Sequence, residues 1–557
     1  MADDKRNMLK MLLNRRIIGL LMRSRTRKLM TKMRSGNIFL SALDDNPEKE
    51  AIIYGDKKFT YREFRERMNR LNNGLLSLGI KEGDHIAAFL GNSNSFLEVV
   101  YGPSLAGIIS TPINWHLKGE EIEYIVNNSD AKAFFIEEQF IDKLKPIKSK
   151  LKGVKHFIMV GENIPDDMID YEKFLSESSS ADLESTVTGG GFMLYTSGTT
   201  GRPKGTHSRA LKDPSILEPD DIASFVVMLD NMLNGFDYHK TTNRHLVVGP
   251  LYHAAPLGFA GMTFAHGGTV AIMRKFDAEE ALKFIEKEKL STTFIVPILL
   301  KRLLSISNKD KYDVNSMKSI VCAAAPCPAE LKKEVVDFFG PVFYEFYGST
   351  DAGINTILKP KHYLKNPEKY ASVGIVAGGN KLKIVDENGN VAPTRATGDL
   401  YVSNPMVKYL EYYKDPDKTK SSFMEIDGEQ YFIEGEVAYL DEENFCYIVD
   451  RKKDMIISGG VNIYPAEIEE VIHLHPSVMD VAVIGIPDKE WGEAIKAFIV
   501  TRKGMNLTEK EIIDYCSEHL AGYKRPKSIE FVDDLPRNPD GKLVKRLLKE
   551  KYAATAT

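Results

Sequence analysis

The chain is poor in cysteine and tryptophan: its 557 residues include four Cys and two Trp. The thiols Cys322, Cys327, Cys446 and Cys516 form no CxxC pair. A thiolate metal centre and a disulfide scaffold therefore have no basis in the sequence, and a reducing, cytoplasmic setting is the expectation. No uncharged apolar run reaches 18 residues, so no transmembrane span is expected. Short-period repeats are absent as well. Charge is nearly balanced, with 74 Lys+Arg against 78 Asp+Glu, which gives no electrostatic footprint for nucleic acid. What is present is a composition of 43% hydrophobic and 27% charged residues, that of a globular protein long enough to need two or more domains.

The balance conceals an asymmetry. Eleven Lys and Arg stand against Asp3 and Asp4 in the first 34 residues, while the rest carries 63 basic and 76 acidic residues. Leu9, Leu13, Ile17 and Leu20 recur at helical spacing, with Lys10, Arg15, Arg16 and Arg23 mostly on other faces. Residues 1–36 are thus expected to form a basic amphipathic extension. Two readings stay open for it: a helix lying on anionic lipid at the inner membrane face, or an arm docked on the protein's own acidic body. The acidic start argues against a transit peptide.

Beyond the extension the pattern is α/β. Helical spacing over Phe64–Leu78 ends at Gly79 and is followed by the strand candidate His85–Leu90, a helix over Phe96–Ala106 and the segment Ile108–Pro112. That order implies a parallel sheet layered with helices. A helix over Arg274–Leu290 leads to the apolar strand Thr292–Val296, and residues 207–240 read as a polar loop followed by a helix rich in Met and Phe. Strands dominate from Gly398, and a compact segment follows Asp450. The expected architecture is a large layered α/β domain over 37–449 with a β-rich subdomain, then a small α+β domain over 450–557.

The run TSGTTGRPKG at 196–205 has the chemistry of a phosphate clamp: small hydroxyl residues, glycines and one lysine, Lys204. It is not the common G-x-x-x-x-G-K-[ST] loop, because Pro203 separates Gly201 from the lysine. The apolar run Phe192–Tyr195 before it reads as a buried strand that delivers the loop to the end of a sheet.

With this wording the chain resembles the adenylate-forming superfamily of acyl-CoA ligases, luciferases and peptide-synthetase adenylation domains. The family's other motifs follow in order: PLYHAAPL at 250–257, CAAAP at 322–326, YEFYGSTDAG at 344–353, DRKKDMIISGGVNIYPAEIE at 450–469 and PRNPDGK at 536–542. The resemblance covers about residues 38–550. It implies that a carboxylate attacks the α-phosphate of ATP to give an acyl-adenylate and pyrophosphate, and that a thiol then displaces AMP. It also implies a small C-terminal domain that swings between the two steps about a hinge at Lys453.

The same resemblance distributes the roles. Thr196, Ser197, Gly198, Thr199, Thr200, Gly201 and Lys204 would hold the β- and γ-phosphates, with Thr200 and Asp351 on magnesium. Tyr347 and Gly348 would lie on the adenine, Ala324, Ala325 and Pro326 along its edge, and Thr350 at the α-phosphate. Glu436 and Arg451 would meet the ribose. Lys542, presented by the turn Asn538-Pro539-Asp540-Gly541, would reach the α-phosphate and the carboxylate. His253 would gate or orient the carboxylate site, and Gly460 would let pantetheine pass.

Two positions depart from the pattern: Asp351 stands where Glu is usual, and Glu434-Gly435-Glu436 where Thr-Gly-Asp is usual. The literal Thr-Gly-Asp at 397–399 lies too far before Arg451 to serve the ribose. No carboxylate neighbours His253 in Tyr252–Leu257, which disfavours an acid bearing an ammonium. Ala254, Ala255, Gly258, Ala260 and Gly261 are small residues that could leave room for an apolar tail. The expected activity is therefore an AMP-forming acyl-CoA ligase acting on a hydrophobic acid, medium- to long-chain or bulky and ring-bearing, with ATP, Mg2+ and coenzyme A. Fifteen residues follow Lys542, so a free acceptor is expected. The alternatives are a ligase loading a separate carrier protein and a non-catalytic nucleotide- or lipid-binding relative; monomer and homodimer stay open.

Overall fold

The computed structural model describes residues 37–183, 190–196, 203–208, 216, 219–238, 243–488, 490–538 and 541–553. The basic extension expected over residues 1–36 lies outside them. Among the described residues no helix is long and apolar enough to cross a membrane.

Two largely parallel sheets form the large domain. The first has six parallel strands in the order Ile169–Asp170, His156–Val160, Ala131–Glu137, His85–Phe89, Ile109–Pro112 and Gly191–Phe192. The second has nine: Ile375–Val376, Gly353–Leu358, Phe343–Ser349, Ser319–Cys322, Thr292–Ile295, Arg244–Val247, Thr269–Ile272, Glu50–Tyr54 and Lys57–Thr60. Its central strands are parallel and antiparallel pairs close both edges. Helices pack between and over these sheets, as the β-α-β order anticipates.

The helix Tyr61–Ser77 shows why the layers cohere. Thr60 caps it, accepting from the Glu63 amide while the Glu63 carboxylate accepts from the Thr60 amide. Phe64, Met68, Leu71 and Leu75, at spacings of four, three and four, are fully buried against the core that also holds Tyr101 and Phe264. Burial of such a side chain contributes about 1.5–3 kcal/mol. In the second layer Lys332 and Glu345 form an ion pair at 2.5 Å with both side chains almost inaccessible, so removing either partner would strand a buried charge.

Three expected elements differ in extent. Phe192–Tyr195 is not one strand: Gly191–Phe192 ends the six-stranded sheet, and Leu194–Thr196 belongs to a three-stranded antiparallel sheet with Lys204–Ser208 and Leu410–Tyr412. The chain changes sheets at Met193. The helix expected over Arg274–Leu290 runs from Ala278 to Glu288, because Asp277 accepts from the Glu279 and Glu280 amides and fixes its start. Phe96–Ala106 is an α-helix over Asn94–Tyr101 that tightens into a 3-10 turn over Gly102–Ala106. The helix expected within 207–240 is Pro219–Asn234.

From Lys381 the chain builds a five-stranded antiparallel sheet of Lys381–Val385, Gly398–Ser403, Glu429–Leu440, Phe423–Ile426 and Cys446–Arg451. The division expected at Asp450 falls inside its last strand, which runs to Arg451 before the 3-10 turn Lys452–Asp454. The C-terminal segment has its own sheet, centred on Val478–Asp488 and Gly492–Thr501, and its own core of Ile456, Ile468, Ile472, Val483, Ile499 and Cys516. It meets the large domain at the helix Pro297–Leu304, where a Cβ added to Gly541 would stand 2.9 Å from Val296 Cγ2.

Candidate active site

Parallel strands carry side chains to a common edge at their C-terminal ends, where open α/β sheets bind ligands. The strand Ser319–Cys322 ends there in Ala323–Pro326, Phe343–Ser349 runs into Thr350-Asp351, and the segment after Arg244–Val247 leads to His253. Ala324 adopts φ +75°, a left-handed conformation that costs a non-glycine residue about 1 kcal/mol or more. Ala324 and Ala325 are half-buried and Pro326 is exposed. Gly348 is required by close approach: a Cβ there would collide with the Gly353 carbonyl oxygen.

Tyr347, Glu436 and Arg451 come together. The Tyr347 hydroxyl donates to Glu436 Oε2 at 2.9 Å. Glu436 and Arg451 are cross-strand partners in the antiparallel sheet, with Arg451 Nε 3.5 Å from Glu436 Oε1. Burial pushes the Glu436 carboxyl above its ordinary range, opposed by Arg451, the Tyr347 hydroxyl, and the charges of Lys542 and Lys453. Lys542 and Lys453 both lie in the chain beyond the end of the subdomain sheet, and their positive charges act on this carboxyl.

Glu434, to which the motifs assign no role, joins this group. It accepts from Asn355 Nδ2 at 2.8 Å and Ser349 Oγ at 3.2 Å. Burial, then the neighbouring Glu436, pushes its carboxyl up to about 8. Asp351 accepts from the Tyr412 hydroxyl at 2.9 Å through Oδ2. Its Oδ1 is buried with no hydrogen-bond partner among the described residues, and burial lifts the acid to about 6. A buried carboxylate oxygen left without a donor suits a hard cation, and magnesium needs few protein ligands beside phosphate and water. The residues present thus fit that ion. Thr350, half-buried, lies in the same turn.

Of the phosphate-loop residues, Ser197, Gly198, Thr199, Thr200 and Gly201 lie outside the described residues. The ends of the loop are placed: Thr196 pairs with Lys204 across antiparallel strands, so the motif is the connection of a hairpin. The Lys204 ammonium pairs with Asp415, which also caps the helix Pro416–Ser421 through the Lys418 amide and is held below its usual range first by Lys204. Asp415 and Tyr412 are further residues the sequence reading missed; their only local signal is the Tyr-Tyr-Lys-Asp-Pro run at 412–416.

His253 precedes the helix Ala254–Ala265, its ring 4.4 Å from that of Tyr252, which meets Trp115 edge-on. The small residues that follow divide by face. Gly261 packs tightly, since a Cβ there would lie 2.6 Å from Phe39 Cγ and 2.7 Å from Tyr101 Oη, and Ala260 is buried in the same core. These two serve helix packing and do not line an acyl tunnel. Gly258 faces open space. In the core beside Ala323 and Ala324, Phe259 packs with Phe236, Phe294 and Phe346, ring centres 5.2–6.0 Å away.

The C-terminal hairpin that carries Lys542 is braced from within. The Asn538 amide donates to the Lys542 carbonyl at 2.7 Å, the Gly541 amide to the Asn538 carbonyl at 2.8 Å, and Arg537 Nη1 to the Gly541 carbonyl at 2.7 Å. Gly460, by contrast, is exposed at the turn between Ile456–Ser458 and Val461–Ile463, with open space around it.

Two domains that meet over the ends of parallel strands, with Tyr347, Glu436 and Arg451 joined there and the hairpin before Lys542 seated on Val296, have the arrangement of an adenylate-forming enzyme. The chain belongs to the AMP-binding enzyme family: that family's model matches residues 39–412, and the model of the AMP-binding enzyme C-terminal domain matches residues 467–542. It is 31% identical over 512 residues to a feruloyl-CoA synthase of Amycolatopsis sp., covering 91% of this chain and 96% of the relative. It is 30% identical over 508 residues to a long-chain fatty-acid CoA ligase of Mycobacterium tuberculosis, covering 90% and 94%. In fold it matches the crystal structure of the anthranilate CoA ligase AuaEII, with a TM-score of 0.82 at 23% identity, over 94% of this chain and 98% of that one.

Proposed function

We propose that the protein is an ATP-dependent, AMP-forming acid–thiol ligase that joins a hydrophobic carboxylic acid to coenzyme A. The observation that carries this reading is the seat of the hairpin that presents Lys542: Gly541 packs on Val296 and Ile298 at the end of the strand Thr292–Ile295, in the same sheet whose Tyr347 is bonded to the carboxylate that Arg451 pairs. In the first step the substrate carboxylate attacks the α-phosphorus of ATP, the α–β bridging bond breaks, and acyl-adenylate and pyrophosphate result. In the second the coenzyme A sulfur attacks the acyl carbon, AMP leaves with the C–O bonding pair, and the thiol proton is released.

The residues divide this work chiefly by position and charge. Tyr347 and Gly348 receive the adenine beside Ala324, Ala325 and Pro326, and Glu436 with Arg451 holds the ribose hydroxyls. Lys204 exchanges Asp415 for the β- and γ-phosphates, aided by Thr196, Ser197, Gly198, Thr199, Thr200 and Gly201. Asp351 and Thr200 are the residues that would hold magnesium, which when bound neutralises phosphate charge. Thr350 and Lys542 approach the α-phosphate, and His253 orients the acid. Lys453 is the hinge from which the C-terminal domain turns, bringing Gly460 to the thiol channel for the second step.

The acid is read as hydrophobic because Tyr252–Leu257 offer no carboxylate to an ammonium. Open space at Gly258 leaves room beside the helix Ala254–Ala265 for an apolar acyl group, a medium- to long-chain or a ring-bearing one. Pyrophosphate release and thioester formation, measured with ATP, magnesium and coenzyme A over acids from acetate to palmitate plus benzoate, cinnamate and cyclohexane acids, test the reading. Acid-dependent release with matching thioester is expected. Release that yields thioester only on a phosphopantetheinylated carrier protein would replace coenzyme A as acceptor, and silence across the panel with ATP still bound would overturn the activity.

A further inference from the structure

The helix Pro297–Leu304 touches the C-terminal domain twice. Its first turn supports Gly541, whose added Cβ would stand 2.9 Å from Val296 Cγ2 and 3.1 Å from Ile298 Cγ2. From its last turn Lys301 reaches across the domain boundary, with Nζ 3.5 Å from His473 Nδ1 at the end of the helix Pro465–His473. His473 Nε2 lies 3.8 Å from Asp480 Oδ1. The other Asp480 oxygen accepts from Arg537 Nη2 at 2.7 Å, and Arg537 Nη1 donates to the carbonyl of Gly541 at 2.7 Å. The path thus leaves the helix at Lys301 and returns to it through Gly541, one residue before Lys542.

We propose that Lys301, His473, Asp480 and Arg537 form a cross-domain latch that seats the Lys542 hairpin for the adenylating step. It rests on the two-step ligase reading and adds to it four positioning residues, none of which is placed on ATP, acid or coenzyme A. The circuit is built for this task. Asp480 and Arg537 keep only 8% and 19% of their side-chain surface exposed and His473 20%, so the Arg537–Asp480 hydrogen bond is largely shielded from water, with His473 3.8 Å from the same carboxylate. His473, Asp480 and Arg537 lie on three separate elements of the C-terminal domain, and the Lys301 to His473 contact and the seat of Gly541 are where this circuit meets the large domain.

The electrostatics fit a contact made in one arrangement. Burial lowers the Lys301 ammonium to about 8, with Asp480 and Glu334 opposing and Arg502 and Arg537 assisting. Burial lowers His473 to about 4, with Lys301, Arg537 and Arg502 assisting and Asp480 opposing. A neutral His473 therefore accepts from Lys301. When the C-terminal domain turns away, Lys301 loses this acceptor and regains water. Because burial disfavours the Lys301 ammonium here, the His473 acceptor offsets that cost in this arrangement alone, so the contact distinguishes it from one in which the lysine stands in water.

The test uses the full chain with Lys301→Met, Lys301→Arg and Arg537→Gln. Two readouts are compared: acid-dependent ATP–pyrophosphate exchange, which reports the first step, and thioester formation from synthetic acyl-adenylate and coenzyme A, which reports the second. Lys301→Met and Arg537→Gln should slow the first about fivefold or more, the range of ordinary coupling between sites, with the KM for ATP little changed and the second step kept. Lys301→Arg should restore most of the first. Equal loss in both steps, or no loss in either, overturns the latch. Hydrogen exchange reads it without substrate: residues 297–304 and 541–544 should exchange faster in Lys301→Met, and identical exchange would also overturn it. Failure of the ligase reading shows differently, as a wild-type enzyme silent in both assays.

Discussion

The Tyr347 hydroxyl donates to Glu436 across 2.9 Å, joining a strand of the nine-stranded sheet to one of the β-rich subdomain. The ring proposed for adenine and the carboxylate proposed for ribose are thus tied to each other, with Arg451 on the far oxygen.

Removing the carboxylate should cost nucleotide binding more than removing the hydroxyl. A hydrogen bond to a charged group contributes about 1.5–3 kcal/mol, so Glu436→Ala should raise the KM for ATP roughly ten- to a hundredfold. Tyr347→Phe keeps the ring and should change it by about threefold or less. Initial-rate pyrophosphate release against ATP concentration separates the two. A larger effect of Tyr347→Phe would mean that the hydroxyl, and not the ring and carboxylate, carries the site.

How this constellation could be read from the sequence depends on chain distance. Glu436 and Arg451 lie on the two strands of one hairpin and are close in sequence, but a bulge beside Val437 decides that Arg451 rather than Asp450 stands opposite Glu436. Tyr347 lies in an apolar strand that ends at the ligand edge, which the β-α-β order anticipates. Tyr412 and Asp415 escaped because their partners Asp351 and Lys204 are 61 and 211 residues away, and no local pattern records such a pairing. Residues 192–195 read as one apolar strand because hydrophobicity does not encode which sheet a residue joins; the change at Met193 is decided by pairing with Ser110 on one side and Thr206 on the other. Gly261 misled for a related reason: a small side chain can face a ligand or admit a neighbour such as Tyr101, and only packing distinguishes them.

Glu434 should impose a pH dependence on stability. Its carboxyl titrates near 4.5 in the unfolded chain and is pushed up to about 8 in the fold, so between those values the folded protein binds the extra proton. The stability this proton confers is fully present below about pH 4.5 and is lost as pH rises toward about 8. Glu434→Gln keeps the shape of the protonated acid and its link to Asn355 and Ser349 without an ionisable group. The decline in the urea midpoint between about pH 5 and pH 8 should accordingly be shallower in the variant. Parallel profiles for the two proteins would show that Glu434 is ionised in the fold.

Lys542 and Gly541 should be separable from the second chemical step. Lys542→Ala removes a positive charge placed where negative charge develops on the α-phosphate, and loss of one such preorganised donor costs about 2.7–4 kcal/mol, or 10²–10³ in rate. Gly541→Ala should mimic it in part with the lysine still present. Gly541 has φ +81°, and its new Cβ would press on Val296 and Ile298, so the hairpin would be both strained and lifted from its seat. Both variants should lose acid-dependent ATP–pyrophosphate exchange while converting synthetic acyl-adenylate to thioester at near the wild-type rate, because neither residue lies by Gly460, on the face proposed for the thiol. Equal loss of the two steps would place Lys542 in both arrangements of the C-terminal domain and remove the need for that domain to turn.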